Sequence, residues 1–440
     1  MAKRKKKVST RTTKKKTSAR KRRTSAPKKE TTIRKQLSKK VAEAKKDLLP
    51  LLKAAGSTSP SDTALQDASK VIRDTVLTER ETPLTRLDKL KFVISCELAG
   101  KSVSGYSTID TDHISKIRQF TQSIETYVDD KSQKQPKNFL MLASPGSGKS
   151  HFIKCVARQL RQRNVGHITF NMASLQSNDD LIPPLDAARN LKVEDKIPLL
   201  FLDEFDSHPR NFALLLPLLW DGGLNVGQRD LRLGKVVIVL AGSDPSLPET
   251  MDHARSMRKD VPINDDQSPK IVDLFSRING GVLTIPPFLD VAKGIDRTPD
   301  KICIAIHLLK SRFGSLLQSV PSGLLKFVGA VQFRYGVRSV AHLINTIPFS
   351  DKITDLDLNN IGLPFESSNT LKNSSLAYHF VDDDQSLGIL KLWNDSFINN
   401  QPIPIQDEFI STFPFYMFTQ EEQYTDTLLE NIILRMGLDG

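Results

Sequence analysis

The stretch KNFLMLASPGSGKSHF at 137–152 constrains the fold more than any other part of the chain. An apolar run passes without a break into a turn holding two glycines, then into a helical pattern that starts at Lys149. Strand, tight turn and helix in that order open a parallel α/β sheet, because parallel strands need crossover helices and are buried on both faces. The octet ASPGSGKS at 143–150 fits the phosphate-loop spacing G-x-x-x-x-G-K-[ST] except at its first position, where Ala143 replaces glycine. Gly146 and Gly148 let backbone amides face an anion, and Lys149 has the reach for the outer phosphates. Ser150 offers a hydroxyl to Mg²⁺, and the helix starting there presents its positive end. Pro145, Ser147 and His151 complete the residues expected against a nucleotide. Ala143 at the strand's exit is tolerated while its φ stays negative. The competing explanation is a Ser/Gly turn with an incidental lysine, and the flanking strand and helix count against it.

Apolar strands and amphipathic helices keep alternating downstream. HITFNMA (167–173), PLLFLDE (198–204), KVVIVLAGS (235–243) and GGVLTIPPF (280–288) read as strands, with a helix ending near 221–223. This implies an α/β fold, a three-layer arrangement with a parallel sheet wound on both faces. Segment 112–128 spaces Ile114, Ile117, Phe120, Ile124 and Tyr127 as a helix capped by Asp110 or Asp112. Further upstream, 31–55 is helix-friendly with Pro50 as an interruption and Gly56 as its end, and Asp62 is placed to cap the next helix. The divisions expected are a basic tail (1–36), a helical region (37–104), the nucleotide-binding α/β domain (105–297), a helical lid (298–346) and an accessory region (347–440).

In LLFLDEFD at 199–206 an apolar strand delivers Asp203 beside the phosphate loop, where it can hold Mg²⁺, and places Glu204 to orient or activate a water. Acid pairs are also common at solvated strand ends, but here the pair follows the loop at the distance of one intervening strand. These motifs together resemble the AAA+ ATPase family, and the resemblance implies ATP and Mg²⁺ as cofactors. In that family a polar residue ending the next strand helps position the water. Ser243 in VLAGSD is the matching candidate and Asp244 the alternate. KIVDLFSRINGG (270–281) is similar to the segment bearing the family's arginine finger, which implies that Arg277 acts on the neighbouring subunit's nucleotide, with Arg258 a second candidate. YGVRSVAHLI (335–344) looks like the family's second sensor, with Gly336 allowing the helix start and Arg338 aimed at the nucleotide. The resemblance covers roughly 137–345 and implies a ring or spiral of this chain with itself, most often a hexamer.

Charge supplies the rest. Residues 1–40 hold 19 of the 63 Lys and Arg but one of the 50 acids, a net +18, so the other 400 residues carry a net −5. A segment so basic and so poor in apolar residues is expected to be disordered and to bind nucleic acid through phosphate neutralisation. KRKKK also fits a nuclear address, so a cytoplasmic, nucleoid-associated protein is expected in a bacterial host and a nuclear one in a eukaryote. The longest apolar runs, such as FALLLPLLW (212–220), fall well short of the roughly 18 residues a spanning helix needs, so no membrane role is expected. Cys96, Cys155 and Cys303 lie far apart, which argues against a zinc knuckle or a disulfide framework. Family members that thread polypeptides usually carry an aromatic–aliphatic–glycine loop before the Asp-Glu strand, and 174–197 contains neither aromatic nor glycine. The expectation is therefore an oligomeric ATP-driven motor or switch on or near nucleic acid, nearer the replication, transposition and phage-defence branches. A protein-remodelling chaperone, or an ATP-gated scaffold for a partner effector protein, are the alternatives.

Overall fold

The computed structural model describes residues 26–57, 59–79, 82–101, 103, 105–208, 210–226, 229–244, 247, 249, 269–314, 317–349, 361–381, 385–406, 427 and 429. Residues 1–25 of the basic tail, Arg258, and the aromatic patch FPFYMF at 413–418 lie outside them.

Upstream of the sheet stand α1 (Ala26–Gly56), α2 (Asp62–Val76), α3 (Arg86–Ala99) and α4 (Thr111–Asp129). The sheet has five parallel strands: β1 (Lys137–Leu142), β2 (Val165–Asn171), β3 (Ile197–Asp203), β4 (Val237–Gly242) and β5 (Gly281–Thr284). Their spatial order is β2-β3-β4-β1-β5. The crossovers carry α5 (Lys149–Gln159), α6 (Ile182–Val193), α7 (Arg210–Asp221) and α8 (Pro269–Ser276). After β5 come α9 (Thr298–Phe313), α10 (Ser322–Ala330), α11 (Gly336–Thr346) and α12 (Gln385–Ser396).

Both faces of the sheet are covered, which is why its strands read as unbroken apolar runs rather than alternating ones. Leu140, Leu200, Leu202, Ile238 and Leu240 join a core with Leu185 and Ala188 of α6, Leu215 and Leu218 of α7 and Leu274 of α8. The alternate residues Phe139, Met141, Phe201, Val237 and Val239 face Ile117, Phe120 and Ile124 of α4 and Phe152, Ile153 and Val156 of α5. The expected fold class is thus observed: α/β, three layers about a parallel sheet, with a helical body beside it.

That body has an unexpected composition. Residues assigned to separate regions at 37–104, 298–346 and 347–440 contribute to one buried cluster. It runs from Leu48, Leu65 and Phe92 through Ile302, Leu325 and Leu343 to Ile389 and Ile403.

Local differences have local causes. Helix α1 runs through Pro50, contrary to the expected interruption; Pro50 lies on the exposed side, where the carbonyl it frees meets solvent. It is assigned from Ala26, upstream of the tail boundary expected at 36. Ser61, not Asp62, caps α2, its hydroxyl accepting from the Ala64 amide at 3.3 Å while Asp62 becomes the first helical residue. Asp110 rather than Asp112 caps α4, accepting from the His113 amide at 2.8 Å. β2 starts two residues early, at Val165, and β5 stops at Thr284 because Pro286 and Pro287 have no amide for a ladder. A hairpin of Gly223–Val226 with Arg229–Arg232 precedes β4 and was not expected.

A buried polar knot joins the start of α9 to the segment entering α4. Asp300 accepts from Arg297 at 2.5 Å, from the Thr108 hydroxyl at 2.8 Å and from the Ile109 amide at 2.6 Å. Burial works against the Arg297 charge, but Asp300, Tyr106 and Asp110 outweigh it and hold the guanidinium more basic than usual. Removing Asp300 leaves the buried Arg297 with only the longer Asp110 contact at 3.7 Å among the described carboxylates, so Asp300→Ala is expected to cost about 3 kcal/mol of unfolding free energy. Urea titration followed by circular dichroism measures it; a loss too small to detect would show the site collapsing or admitting water.

Candidate nucleotide site

The carboxyl ends of β1, β3 and β4 converge on one spot, the crevice at which parallel α/β sheets bind ligands. The register sets it: Leu142 of β1 pairs with Gly242 of β4, and Asp203 of β3 pairs with Ala241, so the exits of the three strands lie side by side. Lys149 is buried there, and its ammonium donates to the Ala143 carbonyl at 3.1 Å and the Ser243 hydroxyl at 2.6 Å. Ser150 donates to the Asp203 carboxylate at 2.8 Å. Glu204, next in the chain, has a left-handed backbone (φ +54°), a conformation costly for a non-glycine residue and concentrated at functional sites. Asp206 accepts from the amides of both Ser243 and Asp244 at 2.7 Å, fixing the exit of β4. Burial lowers the Lys149 pKa, while the carboxylates of Asp203, Asp206 and Glu204 pull it back up.

The loop itself requires its glycines. Gly146 has φ +79°, and a Cβ there would stand 2.3 Å from the Tyr335 carbonyl, so a side chain would push the start of α11 away. Its own carbonyl accepts from the Arg338 amide at 3.1 Å. Gly148 (φ +94°) precedes α5 with no side-chain cap, which leaves the helix's first amides to a ligand. The Ser147 hydroxyl is buried without a partner among the described residues. Gly336, at φ +50°, makes the turn into α11 as expected.

These groups line a cavity of about 260 Å³. Pro145 through His151, Asp203, Glu204, Ser243 and Arg338 all border it, together with Val337 and Ala341, which no motif singled out. A second cavity of about 760 Å³ adjoins it across Pro145, Ser147, Gly148, His151 and Val337. Its other walls include Tyr106, Ser107, Phe288, Ile304, His307 and Phe333. Sequence reasoning missed that chamber, because its walls come from five separate segments, 97–107, 144–151, 285–311, 332–337 and Val381, with no shared spacing.

Arg277 is not at either cavity. It follows α8 near the amino ends of the strands, ion-paired to Asp273 at 3.2 Å and 6.0 Å from the centre of the exposed Trp220 ring. Asp244 lies beside Ser243 through the shared Asp206 contact but is not among the cavity walls. Among the described residues no three His, Cys, Asp or Glu converge to hold a metal, so a cation here would rely on Ser150, Asp203 and the ligand's own oxygens.

No family model matches the chain, and no curated protein matches it. Among solved structures it is similar to the Hsp104–ADP complex of S. cerevisiae, at 15% identity over 67% of this chain and with a TM-score of 0.33. The alignment spans about half of that chain, 49%. No helix among the described residues is long and apolar enough to cross a membrane.

Proposed function

We propose that the chain is an ATPase of the AAA+ type. The observation that carries this is the pairing of Lys149 with Ser243 and of Ser150 with Asp203, which gathers four residues from three motifs at one strand edge. The small cavity takes the phosphates: the amides that open α5 after Gly148 face them, and Lys149 exchanges its present contacts for phosphate oxygens. The unpartnered Ser147 hydroxyl and the uncapped start of α5 are groups such an anion would satisfy. The large chamber, apolar and aromatic on several sides, takes the nucleoside.

Ser150 and Asp203 are hard oxygen donors of the kind Mg²⁺ requires. When bound, that ion neutralises charge on the phosphate oxygens. Glu204 orients the attacking water and accepts its proton, and Ser243 helps to place it. Arg338, whose backbone already meets Gly146, ties the α11 helix to the loop, so closure over nucleotide couples the two bodies. Arg277, remote from its own cavity, serves the site of a neighbouring copy, which makes a ring or spiral of identical chains the working unit. The net +18 of residues 1–40 supports nucleic acid as the material handled by this motor or switch.

The test is ATP affinity and steady-state turnover for the full chain and for Lys149→Ala. Each is to be measured with duplex DNA, single-stranded DNA, RNA or an unfolded protein, at two salt concentrations, with and without residues 1–36. Lys149→Ala is expected to lose binding about 100-fold or more, since a buried charge-assisted contact to phosphate disappears. Equal binding by both proteins would overturn the nucleotide site. Stimulation by nucleic acid that survives removal of 1–36 supports action on nucleic acid through the body of the protein, whereas stimulation only by unfolded protein would overturn that part.

A further inference from the structure

The turn that carries Arg277 is fastened to the strand that leads into the phosphate loop, and one residue makes nearly all of the attachment. Asn138, the second residue of β1, is fully buried. Its side-chain amide donates to the Arg277 carbonyl at 2.9 Å and to the Leu219 carbonyl, beside Trp220, at 2.7 Å. Its backbone amide donates to the Asn279 side chain at 2.8 Å, and its carbonyl accepts from the Gly280 amide at 2.7 Å. Asn279 in turn donates to the Pro136 carbonyl at 3.0 Å, closing the clamp from the other side. The fit is tight: a Cβ at Gly280 would lie 2.7 Å from the Phe139 ring and 2.8 Å from the Asn138 carbonyl.

A buried side-chain amide inside an apolar sheet is costly unless it is bonded, and an aliphatic residue would pack against the same neighbours. Here both amide hydrogens go to the backbone of the two segments that present Arg277 and Trp220, while the amide oxygen is buried without a partner among the described residues, so the amide is kept at a cost that these two bonds offset. Among the described residues, the side chain of Arg277 has the Asp273 ion pair and the Trp220 face to orient it. Its backbone is held at the carbonyl by Asn138 and at the amide by the Leu274 carbonyl at 3.0 Å, and only the first of these ties it to β1. β1 then has two ends with two duties, Ala143 and the loop at one and the arginine turn at the other, about 16 Å apart at the usual rise per residue.

We propose that Asn138 is the positioning residue for Arg277, holding it where a neighbouring copy's nucleotide can be reached. This inference rests on the assignment of Arg277 to that neighbour's site. Asn138→Ala is expected to lower kcat for ATP by about 10- to 100-fold, the scale of a small misplacement of a reacting group. KM and the affinity for a non-hydrolysable ATP analogue should stay within about twofold, because the variant's own loop is untouched. A residue that served folding alone would lower the melting temperature and the active fraction, but kcat per active site, with sites counted by stoichiometric binding of the analogue, would stay at the parent value.

The decisive comparison is the double variant Asn138→Ala/Arg277→Ala. It should turn over no more slowly than Arg277→Ala alone, since the clamp has nothing left to position. Losses that multiply, or an unchanged kcat in Asn138→Ala, would overturn the proposal while leaving the role of Arg277 intact. Wild-type turnover by Arg277→Ala would instead overturn the neighbour-site assignment and this proposal with it. Should Asn138→Ala fail to fold, Asn279→Ala, at an exposed position, opens the same clamp. It is expected to give a smaller fall in kcat of the same kind, and no fall would overturn the proposal.

Discussion

Glu204→Gln is expected to bind ATP as tightly as the parent protein and to turn it over about 10²–10⁴-fold more slowly. The substitution keeps the shape of the side chain and removes only its capacity to take a proton. The left-handed backbone at residue 204 makes this a demanding position, because the strain is held in place by its surroundings. The Glu204 amide donates to Asp203 at 3.1 Å, and the Ser207 amide closes on the Glu204 carbonyl at 3.0 Å. Glutamine can occupy the same conformation, so the melting temperature should change little and the lost rate can be assigned to chemistry. Equilibrium binding of a fluorescent ATP analogue together with single-turnover hydrolysis measures both halves. Turnover near the parent rate would remove Glu204 from the proposed mechanism.

Arg277→Ala is expected to reduce turnover more, by about 10³–10⁵-fold, while ATP affinity per subunit remains near the parent value. The geometry separates the two quantities: Arg277 lies away from both cavities of its own chain, so its removal leaves that chain's nucleotide contacts in place. Mixing supplies the check. A Lys149→Ala subunit still presents Arg277, and an Arg277→Ala subunit still has an intact loop, so their shared boundary should regain activity when the two inactive proteins are combined. A mixture as inactive as its parts would refute action across a boundary.

The candidate nucleotide site was legible in the sequence because the residues proposed for it are grouped locally. A glycine, a lysine and a serine at fixed spacing, each preceded or followed by a strand or helix of evident periodicity, settle where the loop goes before any long-range contact is known. The β-strand ends at Asp203 and Ser243 followed from the same logic, since parallel strands deliver their last residues to one edge. What stayed hidden depends on partners distant in the chain. Asp206 follows the acid pair with no motif spacing of its own, and its bonds to the amides of Ser243 and Asp244 exist only once β3 and β4 lie side by side. Asn138 sits near the start of an apolar run, and nothing beside it announces that residues 219 and 277 will supply its acceptors. The division of 37–104 from 298–346 failed to show the common core for the same reason: amphipathic helices declare an apolar face but not what covers it. The cap of α2 was misplaced by one residue where Ser61 and Asp62 stand together, since either can bond the first amides.

The shared helical core also sets an order of events on the ribosome. Leu48, Leu65 and Phe92 emerge first, yet the residues that complete their cover, from Ile302 onward, follow some 200 residues later. At translation rates of about 5–20 residues per second, α1 to α3 wait on the order of 10–40 s with part of their apolar surface bare. The sheet, whose strands and crossover helices are contiguous between β1 and β5, has its whole core available in that interval. The nascent chain therefore has its sheet ready to assemble before the helices upstream of it, which gain their cover only as the segment from Ile302 onward is made.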